Sequence, residues 1–131
     1  MGVLLMLHSI LRWIIVIVGL VAIIKFLIGM ARRAEFSKMD RGLSAGFSGL
    51  IDLQVTLGLL YFFITGFGGA GFPPYRIEHM VTMLIAAAVA HAPSTIFKKA
   101  TNKYTVTFYS VIGTLILIVI GVGLLPGGWS R

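Results

Sequence analysis

The sequence predicts an all-α fold, an integral membrane bundle of four transmembrane helices with both termini outside. Three observations predict it: the apolar composition, four long apolar runs and the placement of the basic residues. Of the 131 residues, 58% are hydrophobic and 11% are charged, whereas about 25% of the residues of a soluble domain are charged. A chain this short cannot hide so much apolar surface from water. We therefore expect residues 1–131 to form a single transmembrane domain in a lipid bilayer.

The composition also excludes several kinds of site and partner. The chain has no cysteine, which excludes disulfides, iron–sulfur clusters and thiolate zinc sites. Its net charge of +7 would suggest nucleic-acid binding in a soluble protein. Here the basic residues form short clusters beside the apolar runs, which is the pattern of membrane topology. We expect no nucleic-acid partner.

The first apolar run covers about residues 3–31 and contains three polar interruptions. A cleavable signal peptide begins with basic residues and ends at a small-residue cleavage site. In this chain, the basic residues Arg32 and Arg33 instead follow the run. The run is therefore predicted to remain in the protein as the first transmembrane helix.

Three further apolar runs follow, over about residues 44–65, 77–97 and 104–125. Each is close to the ~20 residues that a helix needs to cross the hydrocarbon core. Small residues spaced four apart lie at the start of the second run, and they allow another backbone to approach closely. These are Gly42 with Gly46 and Ala45 with Gly49. They favour a compact bundle or a partner helix.

Basic residues are concentrated in two of the three connecting segments, and such clusters stay in the cytoplasm. The clusters are Arg32, Arg33, Lys38 and Arg41 between the first two spans, and Lys98, Lys99 and Lys103 between the last two. The loop at 66–76 and the C-terminal segment 126–131 carry one arginine each. Both termini are therefore predicted to lie outside, with the chain crossing the cell inner membrane several times.

Two of the three histidines are predicted to share one depth. At ~1.5 Å of rise per residue, His79 lies roughly 28 Å from Lys98, and His8 lies roughly 36 Å from Arg32 before any helix tilt. Both reach the outer boundary, whereas His91 lies only roughly 10 Å from Lys98. A bis-histidine haem needs two imidazoles from different helices at one level. His8 and His79 are therefore predicted to ligate the iron of one haem b. The alternative is two ordinary interfacial histidines.

Two arginines could serve the same haem. Arg12 lies one helical turn after His8, and Arg76 precedes His79 by three residues. Each could pair with a haem propionate as a fixed cation. For Arg12 a second interpretation is equally open, because next to Trp13 its side chain could reach up to the lipid headgroups.

A second polar group is predicted in the inner half of the membrane. Lys25 and His91 each lie seven residues from a basic cluster, and Asp52 and Gln54 are slightly deeper. One interpretation is an ion pair of Lys25 with Asp52, with the other two side chains bound to backbone groups. The other is a quinone pocket or proton relay, in which His91 and Asp52 exchange protons and Gln54 donates to a quinone carbonyl.

Several motifs together resemble those of a known group. They are HSILRW at residues 8–13, LQVTLG at 53–58 and EHMVTM at 78–83, with His91 ahead of the lysine pair at 98–99. They are similar to motifs of short bacterial four-helix membrane proteins labelled cytochrome b-like, over nearly the whole chain. The resemblance implies a b-type haem protein of respiratory or photosynthetic electron transfer, present as a small subunit of a larger complex. The three histidines of this chain occupy the motif positions.

We therefore expect a membrane b-type cytochrome that carries electrons through one haem b and receives them from a quinol or a partner subunit. The connecting segments are too short for a substrate domain, which favours a non-catalytic electron-transfer or accessory subunit. The alternative is a structural subunit of such a complex without a cofactor. A proton channel or transporter that uses Lys25, Asp52 and His91 ranks below both, because broken helices and inverted repeats are missing from the sequence.

Overall fold

A computed structural model describes residues 2–130, and four long α-helices account for most of them. They are α1 (Gly2–Ala31), α2 (Lys38–Thr65), α3 (Pro74–His91) and α4 (Lys103–Gly123). A π-helical turn (Gly66–Ala70) extends α2, and short 3-10 turns follow α3 (Ala92–Ser94) and α4 (Gly128–Ser130). The helix α1 packs on α2 and α4, and α3 packs on the same two helices. The all-α prediction is confirmed, and α1 and α3 occupy opposite corners of the bundle.

Three helices of the described chain are long and apolar enough to cross a membrane. They are α1, α2 together with its π-helical turn (Lys38–Ala70), and α4. The helix α3 is not among them, since its 18 residues include Arg76, Glu78, His79 and His91. The structure therefore supports a membrane protein, while the fourth span and the side on which the termini lie stay predictions.

Two helix ends differ from the predicted spans. The helix α2 begins at Lys38 because Ser37 and Asp40 form a capping box. In it, the Ser37 hydroxyl accepts from the Asp40 N–H at 3.3 Å, and the Asp40 carboxylate accepts from the Ser37 N–H at 2.8 Å. The helix α3 ends at His91 instead of near 97, because Pro93 has no N–H with which to continue the hydrogen bonds of an α-helix, and the chain goes on as the short 3-10 turn.

The core is formed mainly by α1, α2 and α4. Its most deeply buried large side chains are Ile15 and Phe26 of α1, Phe47 of α2 and Val111 of α4. By contrast, the fully buried apolar residues of α3 are alanines, Ala86 and Ala90. The helix α3 therefore fits against its neighbours through small side chains.

The N-terminal and C-terminal segments lie at the same end of the bundle. After α4 the backbone turns at Gly127 and Gly128, where φ is 81° and 49°, values that favour glycine. The turn brings the indole of Trp129 onto that of Trp13 in α1, with ring centroids 5.4 Å apart. We call this end, with residues 2–13, 54–83 and 118–130, the histidine end. The opposite end, with residues 25–41 and 91–105, is the basic end.

Candidate functional site

A cavity of about 270 Å³ lies inside the histidine end. All four helices line it, mostly with apolar side chains, for example Leu5, Ile51, Met83 and Ile118. The polar side chains in the lining are His8, Ser9, Arg12, Gln54, Tyr61, Thr65, Tyr75, Arg76 and His79. A mostly apolar cavity with a few converging polar groups is the usual form of a cofactor or ligand site. Its volume lies just below the range of about 300–1,000 Å³ that is typical of such sites.

His8 and His79 meet across this cavity. Their ring centroids are 6.4 Å apart and their ring planes are inclined by 72°. The two rings come from α1 and α3, the helices at opposite corners, so they face each other through the interior of the bundle. The structure thus brings together the two histidines that the depth count placed at one level.

His79 is held by a backbone group of α4. Its Nδ1 lies 2.7 Å from the carbonyl oxygen of Gly121. Because a carbonyl oxygen can only accept, Nδ1 carries the hydrogen, and Nε2 of the neutral ring carries the lone pair. Metal-bound histidines commonly donate their other N–H to a backbone carbonyl in this way. The role of Gly121 could not be predicted from the sequence, since a backbone acceptor leaves no sequence signal.

His8 is held by α2. The Gln54 amide donates from Nε2 to the His8 carbonyl oxygen at 2.7 Å. One helical turn later, a Cβ atom placed on Gly58 would lie 3.0 Å from Cε1 of the His8 ring. Two buried atoms at this contact, His8 Nδ1 and Gln54 Oε1, have no hydrogen-bond partner among the described residues. The histidine therefore depends on one close contact and one backbone hydrogen bond.

Arg12 lies between two indole rings. Its Cζ atom is 5.3 Å from the ring centroids of both Trp13 and Trp129, a cation–π arrangement on each side. Only 8% of the residue is exposed. The side chain is therefore buried beside the cavity, between the two indoles.

Arg76 caps the end of α2 as well as lining the cavity. Its guanidinium donates to the carbonyl of Phe62 at 3.1 Å, to the hydroxyl of Thr65 at 2.6 Å and to the carbonyl of Gly71 at 2.8 Å. The Phe62 carbonyl also accepts from the Gly66 N–H, and carbonyl groups near a helix C-terminus carry partial negative charge that attracts a cation. Arg76 therefore stabilises the loop that closes the cavity, a role that the sequence analysis did not predict.

The four residues predicted to converge in the inner half do not come together. Lys25 pairs with Asp40 instead of Asp52, so the predicted ion pair is wrong. Gln54 contacts His8 at the cavity of the histidine end, whereas Asp52 accepts from Nε2 of His91 at 2.8 and 2.9 Å. Residues two apart on a helix point roughly 200° apart. Depth alone could not show that Asp52 and Gln54 lie on different faces.

Asp40 forms a buried cluster that the sequence analysis missed. The residue is fully buried, and its carboxylate accepts from the Lys25 ammonium, the Tyr104 hydroxyl, and the backbone N–H and hydroxyl of Ser37. The spacing Ser37-x-x-Asp40 ahead of an apolar run is the known capping signal that could have identified part of it. The long-range donors come from α1 and α4, which only the fold brings close.

The two histidines fit a haem better than a bare metal ion. Within residues 2–130, no three side chains of His, Cys, Asp or Glu converge in a way that could hold a metal by themselves. A porphyrin supplies its own nitrogen ligands, so two imidazoles are enough. A metal about 2 Å from a nitrogen of each ring would separate the ring centroids by roughly 6 Å, once the ring radii are added. The observed separation is 6.4 Å. A full porphyrin would need the lining side chains to move outward, because the cavity is small.

Comparison with known proteins adds no relative. The chain matches no family model, no curated protein and no solved structure. Its function must therefore be inferred from the cavity and its lining residues.

Proposed function

We propose that this chain is a membrane b-type cytochrome subunit, which binds one haem b through His8 and His79 within a larger respiratory or photosynthetic complex. The observation that carries the proposal is the pair of imidazoles, 6.4 Å apart across a mostly apolar cavity. When bound, haem supplies one-electron chemistry as its iron alternates between the ferric and ferrous states.

The remaining residues of the cavity support this role. The Gly121 carbonyl orients His79 so that Nε2 carries the lone pair. Arg12 and Arg76 place two fixed cations at the cavity lining, and such groups bind carboxylates such as the haem propionates. Apolar side chains such as Met83 and Ile118 line the cavity and would keep water away from a bound haem, which is one of the ways in which a protein tunes a redox centre.

The distribution of basic residues supports a haem site near the outer face. The helix α3 packs between α2 and α4, which supports its passage through the membrane in spite of its polar first turns. The basic end carries the lysine and arginine clusters that are typical of the cytoplasmic side. The histidine end and both termini then lie on the outer side of the inner membrane.

An absorption spectrum tests the proposal. Chain purified from cells that make haem should show, after reduction with dithionite, the α band of a b-type haem at one haem per chain. His8→Ala and His79→Ala should each abolish it, while the control His91→Ala should retain it. A featureless visible spectrum of the wild-type protein would overturn the proposal, and loss with His91→Ala but not with His8→Ala would overturn the ligand assignment.

A quinol is the electron donor that one further observation favours. Asp52 and His91 form a hydrogen-bonded pair on the bundle surface, with 53% and 38% of their side chains exposed. Such a pair can accept protons from a membrane-soluble quinol as it is oxidised. Asp52→Asn and His91→Ala should therefore slow haem reduction by a short-chain quinol and leave the dithionite-reduced spectrum unchanged. Equal quinol rates in the variants and the wild type would remove this donor site.

The alternative is a structural accessory subunit without a cofactor. The first half of α2 has an open face, where a Cβ atom on Gly42, Gly46 or Gly49 would meet nothing within 4 Å. Small residues at this spacing allow close helix packing in membranes, and no helix of the described chain uses them. A complex that co-purifies with a haem-free chain would favour this alternative.

A further inference from the structure

We propose that a cleft at the basic end binds the phosphate group of an anionic phospholipid through the side chains of Arg33 and Lys103. The cleft has a volume of about 450 Å³. Its lining comes from the end of α1 with the loop after it, and from the start of α4 with the loop before it. We call it the basic cleft. It lies at the opposite end of the bundle from the histidine cavity, so the proposal does not depend on haem binding.

The basic end carries most of the positive charge of the chain. Residues 25–41 and 91–105 include eight lysine and arginine residues and two acidic residues, a net charge of +6. The histidine end has two arginines and one glutamate, a net charge of +1. Of the two acidic residues of the basic end, Asp40 is buried in an ion pair, and Glu35 is exposed and lines the cleft. Basic pockets between membrane helices attract anionic headgroups.

Arg33 and Lys103 supply the two cations in the lining of the basic cleft. Within residues 2–130, neither side chain forms an ion pair with a carboxylate. Lys103 donates to the carbonyls of Phe97 and Lys98, and an ammonium group has three N–H donors, so one stays available to an anion. Arg33 is exposed, and a planar guanidinium can donate to two oxygens of one phosphate. Both cations can therefore bind a phosphate in the cleft.

The backbone at Arg33 is unusual for a residue with a side chain. The helix α1 ends in a Schellman motif, in which the Arg33 N–H donates to the Met30 carbonyl at 3.2 Å and the Ala34 N–H donates to the Gly29 carbonyl at 3.1 Å. Arg33 has a φ of 51°, a left-handed conformation that no other non-glycine residue of the described chain adopts. Glycine usually occupies this position because it has no Cβ atom to clash. The arginine therefore adds a cation to the cleft where glycine would be the more stable residue.

The surface next to the basic cleft fits acyl chains. Met30 of α1 and Thr105 of α4 line the cleft, and the Thr105 hydroxyl lies 3.4 Å from the Met30 sulfur. One helical turn toward the middle of the bundle, Leu27 and Tyr109 have exposed side chains. Both helices are long and apolar enough to cross a membrane, so the cleft lies where two spans end. A phospholipid would use the cleft and the apolar surface together, whereas a free phosphate ion would use only the cleft.

Native mass spectrometry of the intact chain in a neutral detergent tests the proposal. We expect the protein to retain one molecule of phosphatidylglycerol, bound at least about tenfold more tightly than phosphatidylcholine with the same acyl chains. Equal affinities for the two lipids would overturn the proposal. Inorganic phosphate at the same concentration should not displace phosphatidylglycerol. Displacement would show that the cleft takes a free phosphate, and would overturn the assignment to a lipid.

Charge-matched variants test whether the cleft itself binds the lipid. Arg33→Gln and Lys103→Gln should each weaken phosphatidylglycerol binding about fivefold, the contribution of one basic residue at an anionic lipid surface. Arg32→Gln is the control, since this neighbouring arginine does not line the cleft, and it should change binding less than about twofold. Glu35→Gln removes a like charge from the lining and should strengthen binding. Equal weakening by Arg32→Gln and Arg33→Gln, or weaker binding in Glu35→Gln, would overturn the proposal.

Arg33→Gly separates lipid binding from a structural role of the arginine. Glycine removes the cation and relaxes the left-handed backbone. Lipid binding should therefore weaken about fivefold, while the midpoint of denaturant unfolding in lipid-free detergent stays the same or rises. A cation at the C-terminus of α1 could instead serve only to stabilise that helix. In that case Arg33→Gly would lower the unfolding midpoint and leave lipid binding unchanged, a result that would overturn the proposal.

Discussion

The buried polar groups at the two ends of the bundle differ in the number of hydrogen bonds that they make. At the basic end, the Asp40 carboxylate is fully buried and accepts hydrogen bonds from Lys25, Tyr104 and Ser37. At the histidine end, His8 Nδ1 and Gln54 Oε1 are buried with no hydrogen-bond partner in the described chain. The buried carboxylate of the basic end therefore has several hydrogen-bond donors, whereas two buried polar atoms beside the cavity at the histidine end have none within residues 2–130.

The difference separates groups that stabilise the fold from groups that serve a ligand. A buried carboxylate is tolerated only when its charge and lone pairs are compensated, and such a cluster then resists change. A polar atom left unsatisfied reduces stability, and proteins typically retain such atoms at functional sites. Variants of the Asp40 cluster at the basic end should therefore lower stability without altering haem content, whereas variants at the histidine end should abolish haem binding and change stability by about 1 kcal/mol or less.

The largest expected effect on stability is that of Asp40→Ala. It leaves the Lys25 ammonium and the Tyr104 hydroxyl without their acceptor and removes one half of the capping box. Breaking a fully buried ion pair costs about 3 kcal/mol or more of unfolding free energy. Here 34% of the Lys25 side chain is exposed, so we expect a loss of about 2–3 kcal/mol. Denaturant unfolding in a fixed detergent should show this loss, with one haem per folded chain retained. The control Glu35→Ala, at an exposed position, should change stability by less than about 0.5 kcal/mol.

Tyr104→Phe should have the next largest effect. It removes one hydrogen bond to the carboxylate but keeps the ring that packs on Phe26 and Phe36, with centroids 6.2 and 5.0 Å away. A hydrogen bond to a charged group contributes about 1.5 kcal/mol, and that loss is expected in the same unfolding measurement. A loss as large as that of Asp40→Ala would mean that Tyr104, and not the ion pair, dominates the cluster.

Much of the fold could be predicted from apolar run length alone. The four helices follow the four apolar runs, because a helix satisfies its own backbone hydrogen bonds in an apolar environment. Three of them are long and apolar enough to cross a membrane. The end of α3 was placed too late because hydropathy continues to Phe97 although Pro93 interrupts the helix. Hydropathy shows whether a segment prefers lipid to water. The position of a helix end can instead depend on whether a single residue has a backbone N–H.

For the candidate site, only the depth of each residue along its helix could be predicted from the sequence. Counting residues gives depth, and depth was enough to bring His8 and His79 to one level. It does not give the direction in which a side chain points around its helix, so Lys25 was paired with Asp52, and Gln54 was assigned to the inner half. The contacts of Gly58 and Gly121 depend on how neighbouring helices meet, which no local pattern in one chain records.

At the histidine end, His8→Leu should change stability in the opposite direction. Leucine fills similar space without a buried nitrogen that lacks a partner, so the haem-free protein should be as stable as the wild type or gain up to about 1 kcal/mol. Haem binding should be lost. The matched control is His79→Leu, which also loses haem but breaks the bond to Gly121 and should cost about 1 kcal/mol. A loss of stability with His8→Leu equal to that with His79→Leu would show that Nδ1 of His8 has a protein partner after all.

Asp52→Asn should have the smallest effect, because Asp52 is paired but exposed. The amide keeps an oxygen that can accept from His91 Nε2–H. The weaker hydrogen bond to a neutral acceptor is offset by the removal of a charge from an exposed position on an apolar helix. We expect a change below about 0.5 kcal/mol. Asp40→Asn makes the same chemical change at the buried carboxylate, where an NH2 group would face the donors of Lys25, Tyr104 and Ser37, and should cost several times more. If Asp52→Asn and Asp40→Asn reduced stability equally, the contribution of a carboxylate would depend only on its having a partner. Its burial and the number of its hydrogen bonds would then not matter.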